Sequence, residues 1–199
     1  MKKHLFALLS GITCALLFSS CSNISPIGSK QSAHQKFQAA DDYAKSYTIY
    51  KNEKLLANKS AKASKLVIDK PTQRALLYIG NEVAVDSPCT TGKSGKRTPS
   101  GSFKVTSKIK DKRSNIFGRY YKNGKVVYGG DRRKYHGSYD KYVGSSLPYW
   151  MRLTDDGIGL HGSSSIKRYP GSNGCIRLPH SIAPTFYYRT NTSTPVIVR

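Results

Sequence analysis

From Lys65 onward the apolar residues come in short runs of three to five, with one later stretch that has helical spacing. Leu66-Val67-Ile68, Ala75-Leu76-Leu77-Tyr78-Ile79 and Val83-Ala84-Val85 are residue types that suit a pleated, half-buried surface. Gly80-Asn81 between the last two marks a turn. GKSGKRTPSGSFKVTSKI then reads as a Gly/Pro/Ser loop leading into a strand at 102–109. Residues 110–145 are basic, Tyr-rich and without helical period. They are expected to form a long loop excursion with a hairpin around Lys122-Asn123-Gly124-Lys125, because an Asn-Gly pair favours a tight turn. MRLTDDGIGLHG predicts a strand, an Asp156-Gly157 turn and a second strand. Pro179 to Thr190 predicts a helix with Pro179 in its first turn, and TPVIVR a closing strand. The sum is a mostly β sandwich or closed sheet with one or two short helices. No internal repeat is present.

Residues 22–63 are rich in Ser, Lys, Ala, Gln and Asn, with room for one short helix around 35–46. That composition buries little and predicts a flexible tether over 21–63 ahead of a folded domain at 64–199. The first 20 residues read as an export leader: Lys2 and Lys3, an apolar stretch from Leu5 to Phe18, then Ser19 and Ser20. The apolar stretch is too short for a membrane span. Cys21 directly after the small residues resembles a bacterial lipobox, which implies lipidation of Cys21 and a membrane anchor. Phe18 stands where Leu is commoner, and an ordinary secretory signal is the alternative. The chain is expected in the periplasm or cell envelope.

Charge adds a partner class. The 33 Lys and Arg outweigh the 11 Asp and Glu, for a net +22. The leader supplies only two of those cations, so the basic character belongs to the exported part. Such a balance suits an anionic polymer, and export argues against a nucleic-acid partner.

Of the four cysteines, Cys14 lies in the leader and Cys21 at the anchor, leaving Cys89 and Cys175. Cys175 sits in GLHGSSSIKRYPGSNGCIRLPH. A thiol nucleophile needs a base and an electropositive setting, and His161 is a base whose ordinary pKa lies near neutrality. Gly174 permits close backbone approach, the N–H groups of Gly174 and Cys175 are candidate oxyanion donors, and Arg177 adds positive charge. A Cys and a His at this spacing are common by chance, so the pair by itself carries little.

The longer string HGSSSIKRYPGSNGCIRL resembles the signature of the L,D-transpeptidase (YkuD) family: a His-Gly, a variable stretch, then Ser-His-Gly-Cys, an apolar residue and Arg or Asn. Thr91-Gly92, Thr98-Pro99, Gly101-Ser102-Phe103 and the terminal TPVIV are similar to other blocks of that family, in order, over residues 64–199. The resemblance implies a YkuD-like β fold and acyl transfer on peptidoglycan stem peptides. It implies Cys175 as nucleophile, His161 as general base and acid, and Gly162 as the backbone group that orients the histidine. Ser172, Gly174 and Arg177 fall on motif positions, whereas Asn173 replaces the usual second His. The resemblance further implies acylation of Cys175 by carbapenem β-lactams. No cofactor or metal is expected, and a monomer is.

Other readings stay open at this point. Cys89 and Cys175 could form a disulfide, since both would be exported. His136, His161, Cys175 and His180 lack any close ligand pair, which argues against zinc. Tyr149 and Trp150 are candidates for the substrate cleft or for core packing. Arg132-Arg133-Lys134, with Tyr135 and Tyr139, is a candidate lid or a solvated loop. Water in place of an amine acceptor would make the enzyme an L,D-carboxypeptidase. A basic, non-enzymatic wall-binding lipoprotein is the rival from another class.

Overall fold

The computed structural model describes residues 31–58 and 63–199; the leader and Cys21 lie outside the described residues. Eleven strands and three α-helices are described: α1 (Ala33–Gln38), β1 (Tyr50–Lys51), α2 (Glu53–Ala57), β2 (Ser64–Asp69), β3 (Arg74–Ile79), β4 (Glu82–Pro88), β5 (Gly101–Lys104), β6 (Ser107–Lys122), β7 (Lys125–Asp131), β8 (Lys141–Arg152), β9 (Gly159–Ser163), β10 (Ile176–Pro179), α3 (Ala183–Arg189) and β11 (Pro195–Val198). They form a six-stranded sheet ordered β1-β4-β3-β2-β11-β5 and a five-stranded sheet ordered β10-β9-β8-β6-β7. The chain passes between sheets at Val105-Thr106, so the predicted strand at 102–109 is two strands, β5 and β6.

Period-two alternation decides what each strand buries. Leu66 and Ile68 of β2, with Ala75, Leu77 and Ile79 of β3, face the second sheet. There they meet Met151, Leu160, Ile176 and Leu178, and Ala183 and Phe186 of α3 close one side. The expected helix is shorter than predicted: Pro179 ends β10, and Pro184 is the proline of the first turn.

The expected excursion at 110–145 is mostly paired strand. β6 pairs β7 across the Asn123-Gly124 turn and pairs β8 along most of its length. Its strands escape a pattern reading because both faces are largely polar and exposed. Tyr120 is the one buried side chain larger than glycine there, ringed by Tyr128, Tyr135, Tyr139 and Tyr142 at centroid distances of 4.5–6.2 Å.

The expected flexible tether needs correction over residues 32–58, which lie against the outer face of the first sheet. Arg74 and Asp86, both fully buried, organise that contact. Arg74 Nε donates to Asp86 Oδ1 at 2.7 Å, and its guanidinium lies 5.1 Å over the Phe37 ring and 4.8 Å over that of Tyr43. Asp86 Oδ2 is shared by His34 Nε2 and Tyr43 Oη, each at 2.8 Å. The remaining guanidinium donors reach the Ser46 and Thr48 carbonyls. β1 then adds to the edge of β4. Farther along, Arg168 ties the segment to the loop after β9, donating to the carbonyls of Ala44, Thr72 and Gln73. The polar composition of this stretch hid a contact built from hydrogen bonds and aromatic rings rather than an apolar stripe.

Candidate active site

β9 and β10 run parallel and in register, with Arg177 opposite His161 and Leu178 opposite Gly162. Alternation buries Leu160, Ile176 and Leu178 in the core and turns His161 and Arg177 to the other side. That side is a cleft of about 810 Å³, which Cys175, Ser172, Asn173 and Gly174 also line. Residues fourteen apart in the chain thus reach one cavity because two short strands pair.

The turn carrying Cys175 is fixed by two hydroxyls. Ser172 Oγ accepts from the Gly174 N–H at 3.1 Å and donates to the Cys175 carbonyl at 2.5 Å. Thr98 Oγ1 donates to the Gly174 carbonyl at 2.6 Å and accepts from the Gly92 N–H at 2.9 Å. Gly174 has φ +118°, a conformation that only glycine adopts freely. Gly92 is also required: a Cβ there would lie 2.0 Å from the Lys96 carbonyl oxygen. The Gly174 N–H is therefore occupied by Ser172, which removes it as an oxyanion donor and leaves the Cys175 N–H.

Thr98 was legible only as part of a Thr-Pro block. Thr98 is 2% exposed, and its hydroxyl bridges two backbone groups, the Gly92 N–H and the Gly174 carbonyl. Thr98→Val keeps the shape and strands both groups, which should cost about 1–3 kcal/mol. A thermal melt checks this, with activity falling further than stability because the turn is displaced.

His161 is 5% exposed. Its Nδ1 lies 2.8 Å from the Gly162 carbonyl oxygen, which can only accept, so Nδ1 carries the proton and Nε2 the lone pair. Burial lowers the His161 pKa to about 4 against the opposing pull of the Gly162 carbonyl, and Arg177 and His180 lower it further. Gly162 is packed as well as bonded: a Cβ on it would meet His180 Nδ1 at 3.1 Å, Ala183 at 3.2 Å and Pro148 at 3.3 Å. Cys175 Sγ donates to the Gly157 carbonyl at 3.7 Å. Burial raises its pKa, Gly159 N–H and Arg177 oppose the rise, and Asp156 adds to it. At neutral pH the resting pair is a thiol and a neutral imidazole.

A buried neutral histidine has a consequence for stability. The unfolded chain takes up a proton near pH 6.5, whereas the folded chain takes it up only near pH 4. Between these values the unfolded state binds more protons, so stability is complete above the upper value and is lost as pH falls through the window. The expected loss is up to roughly 3 kcal/mol. Melting curves across that range check it, and His161→Gln should flatten them.

The two aromatic candidates are not cleft residues. Tyr149 has φ +58°, which breaks the alternation of β8, and its ring packs against Tyr187 and Tyr188 of α3. Trp150 is 3% exposed and lies behind His161, with ring centroids 6.2 Å apart. Asn173 is exposed at the cleft. Arg133, from the turn after β7, reaches the cleft wall, as do Lys96 and Arg97, which the motif blocks do not single out. Cys89 is fully buried in the core, and both it and Cys175 are free. No group of metal-holding side chains is found among the described residues.

Two packed sheets thus bring His161 of β9 and Cys175, the residue before β10, to one cleft. A family model, the L,D-transpeptidase catalytic domain (YkuD), matches residues 63–198, and the chain belongs to that family. Solved structures share the fold. An L,D-transpeptidase from Mycobacterium smegmatis superposes with TM-score 0.54 at 20% identity, covering 68% of this chain and 58% of that one. A cysteine-to-serine mutant of the Enterococcus faecium L,D-transpeptidase gives 0.50 at 25% identity, with 69% and 50% covered. An L,D-transpeptidase in complex with imipenem gives 0.54 at 21% identity, with 69% and 59% covered. The chain spans less than two thirds of each of these structures. No curated protein sequence matches it.

Proposed function

We propose that the chain is an exported L,D-transpeptidase that acts on peptidoglycan stem peptides through a Cys175 thioester. The observation that carries this reading is the convergence of Cys175, His161 and Arg177 on one cleft by the pairing of β9 with β10. His161 Nε2 takes the Cys175 proton as sulfur attacks the carbonyl of the third stem residue, a diamino acid. The Cys175 N–H receives the developing oxyanion. The terminal D-amino acid leaves as its amine accepts the proton from His161. An amine of a second stem then attacks the thioester, gives its proton to His161, and regenerates the thiol. Gly162 orients the imidazole, and Ser172 and Thr98 hold the turn. Arg177 and the Gly159 N–H stabilise the thiolate that forms on the way.

The basic surface favours an anionic wall, and lipidated Cys21 would hold the enzyme at a membrane facing it. The test is incubation of residues 22–199 with disaccharide-tetrapeptide muropeptides, followed by mass spectrometry. Cross-linked dimers lacking one terminal D-alanine are expected. Tripeptide without dimer would mean a carboxypeptidase. No product would mean a binding protein. Because one structure of the same fold holds imipenem, a carbapenem is expected to add its mass once to the intact protein.

A further inference from the structure

The cleft holds more positive charge than acyl transfer uses. Lys96, Arg97, Arg133 and Arg177 line it against the carboxylate of Asp156. Arg177 belongs to the motif, and the Arg133 guanidinium is already engaged by Asp131 through Nε at 2.9 Å and Nη2 at 2.6 Å. Lys96 and Arg97 are different. Both are exposed, and among the described residues neither has a carboxylate partner.

Their backbone is nevertheless tied to the turn of the nucleophile. The Lys93 N–H donates to the Ser172 carbonyl at 3.0 Å, and the Lys96 N–H donates to the Lys93 carbonyl at 2.9 Å. Thr98, the residue after Arg97, donates to the Gly174 carbonyl at 2.6 Å. The Lys96 carbonyl oxygen lies 3.8 Å from where a Cβ on Gly174 would stand. Two unpaired cations are thus fixed beside Cys175 at their backbone and open at their tips. What fits there is an anionic group close to the scissile bond.

We infer that Lys96 and Arg97 form a subsite for a carboxylate on the diamino acid of the donor stem, and so select the free acid over the same stem amidated at that group. This rests on the transpeptidase reading. The diamino acid supplies the attacked carbonyl, so its own side chain is the one that passes beside Cys175. The carboxylate of the leaving residue is common to every tetrapeptide donor and discriminates nothing.

Binding without turnover separates this inference from the reaction. In Cys175→Ala, calorimetry should give a disaccharide-tetrapeptide with the free carboxylate a roughly fivefold lower Kd than its side-chain amide, as an exposed ion pair at its upper range supplies. High salt should shrink the difference. Adding Lys96→Gln and Arg97→Gln should abolish it, at an unchanged melting temperature since both side chains are solvated. Equal affinity for acid and amide, or a preference that survives the two glutamines, overturns the subsite. The transpeptidase reading would instead fail by the absence of dimer and tripeptide from the wild-type protein on either donor.

Discussion

Cys175→Ala should abolish dimer and tripeptide formation together, by about a thousandfold or more, because Cys175 is the one thiol among the described residues that line the cleft. The thiol makes one weak donor contact, to the Gly157 carbonyl at 3.7 Å, so the fold should not notice its loss. The melting temperature should stay within the range of a surface substitution while the product disappears. That contrast matters: a variant inactive through unfolding would lose both. The same variant should stay at its unmodified mass in a carbapenem, while the wild type gains one adduct. His161→Ala should fall short of this loss, since the thiol remains but must be deprotonated by solvent. A raised Cys175 pKa makes that route slow near neutrality and faster as pH rises.

Asp86→Ala should produce the largest loss of stability, about 3–5 kcal/mol. It leaves the Arg74 guanidinium fully buried and without its counter-ion, and takes an acceptor from His34 and Tyr43. Burial and the neighbouring carboxylate hold the Tyr43 phenol protonated, with a pKa pushed up to about 12, so its hydroxyl donates to Asp86. Measured against a total folding stability of roughly 5–15 kcal/mol, such a loss is severe. The segment over 32–58 should release, and limited proteolysis should cut it first. Because Arg168 ties Ala44 to the loop after β9, release should also loosen the approach to His161. Asp86→Asn keeps the shape but offers one carbonyl acceptor where two carboxylate oxygens worked, so its loss should be smaller.

The sequence made β2, β3 and β4 legible, since Leu66 to Ile68, Ala75 to Ile79 and Val83 to Val85 are apolar enough to announce themselves. Cys175 and His161 were legible through ordered motif blocks, and their spacing carried little. Harder to see was anything that depends on pairing. Arg74 and Asp86 read as polar positions in strands, and only the sheet makes them neighbours on its outer face. The strands of the long hairpin lack a buried face, so periodicity had nothing to report. Trp150 and Tyr149 failed as cleft residues because the positive φ at Tyr149 breaks the alternation that a strand reading assumes. The oxyanion assignment to Gly174 failed for a similar local reason, a serine hydroxyl that claims its N–H.

The most direct measurement is the intact mass of the protein seconds after mixing with a disaccharide-tetrapeptide, followed by peptide mapping. The proposed mechanism predicts a thioester adduct equal to the donor without its terminal residue, mapped to the peptide that contains Cys175 and absent from Cys175→Ala. Dimer or tripeptide formed at wild-type rate by Cys175→Ala, or an adduct mapped to another residue, would contradict it.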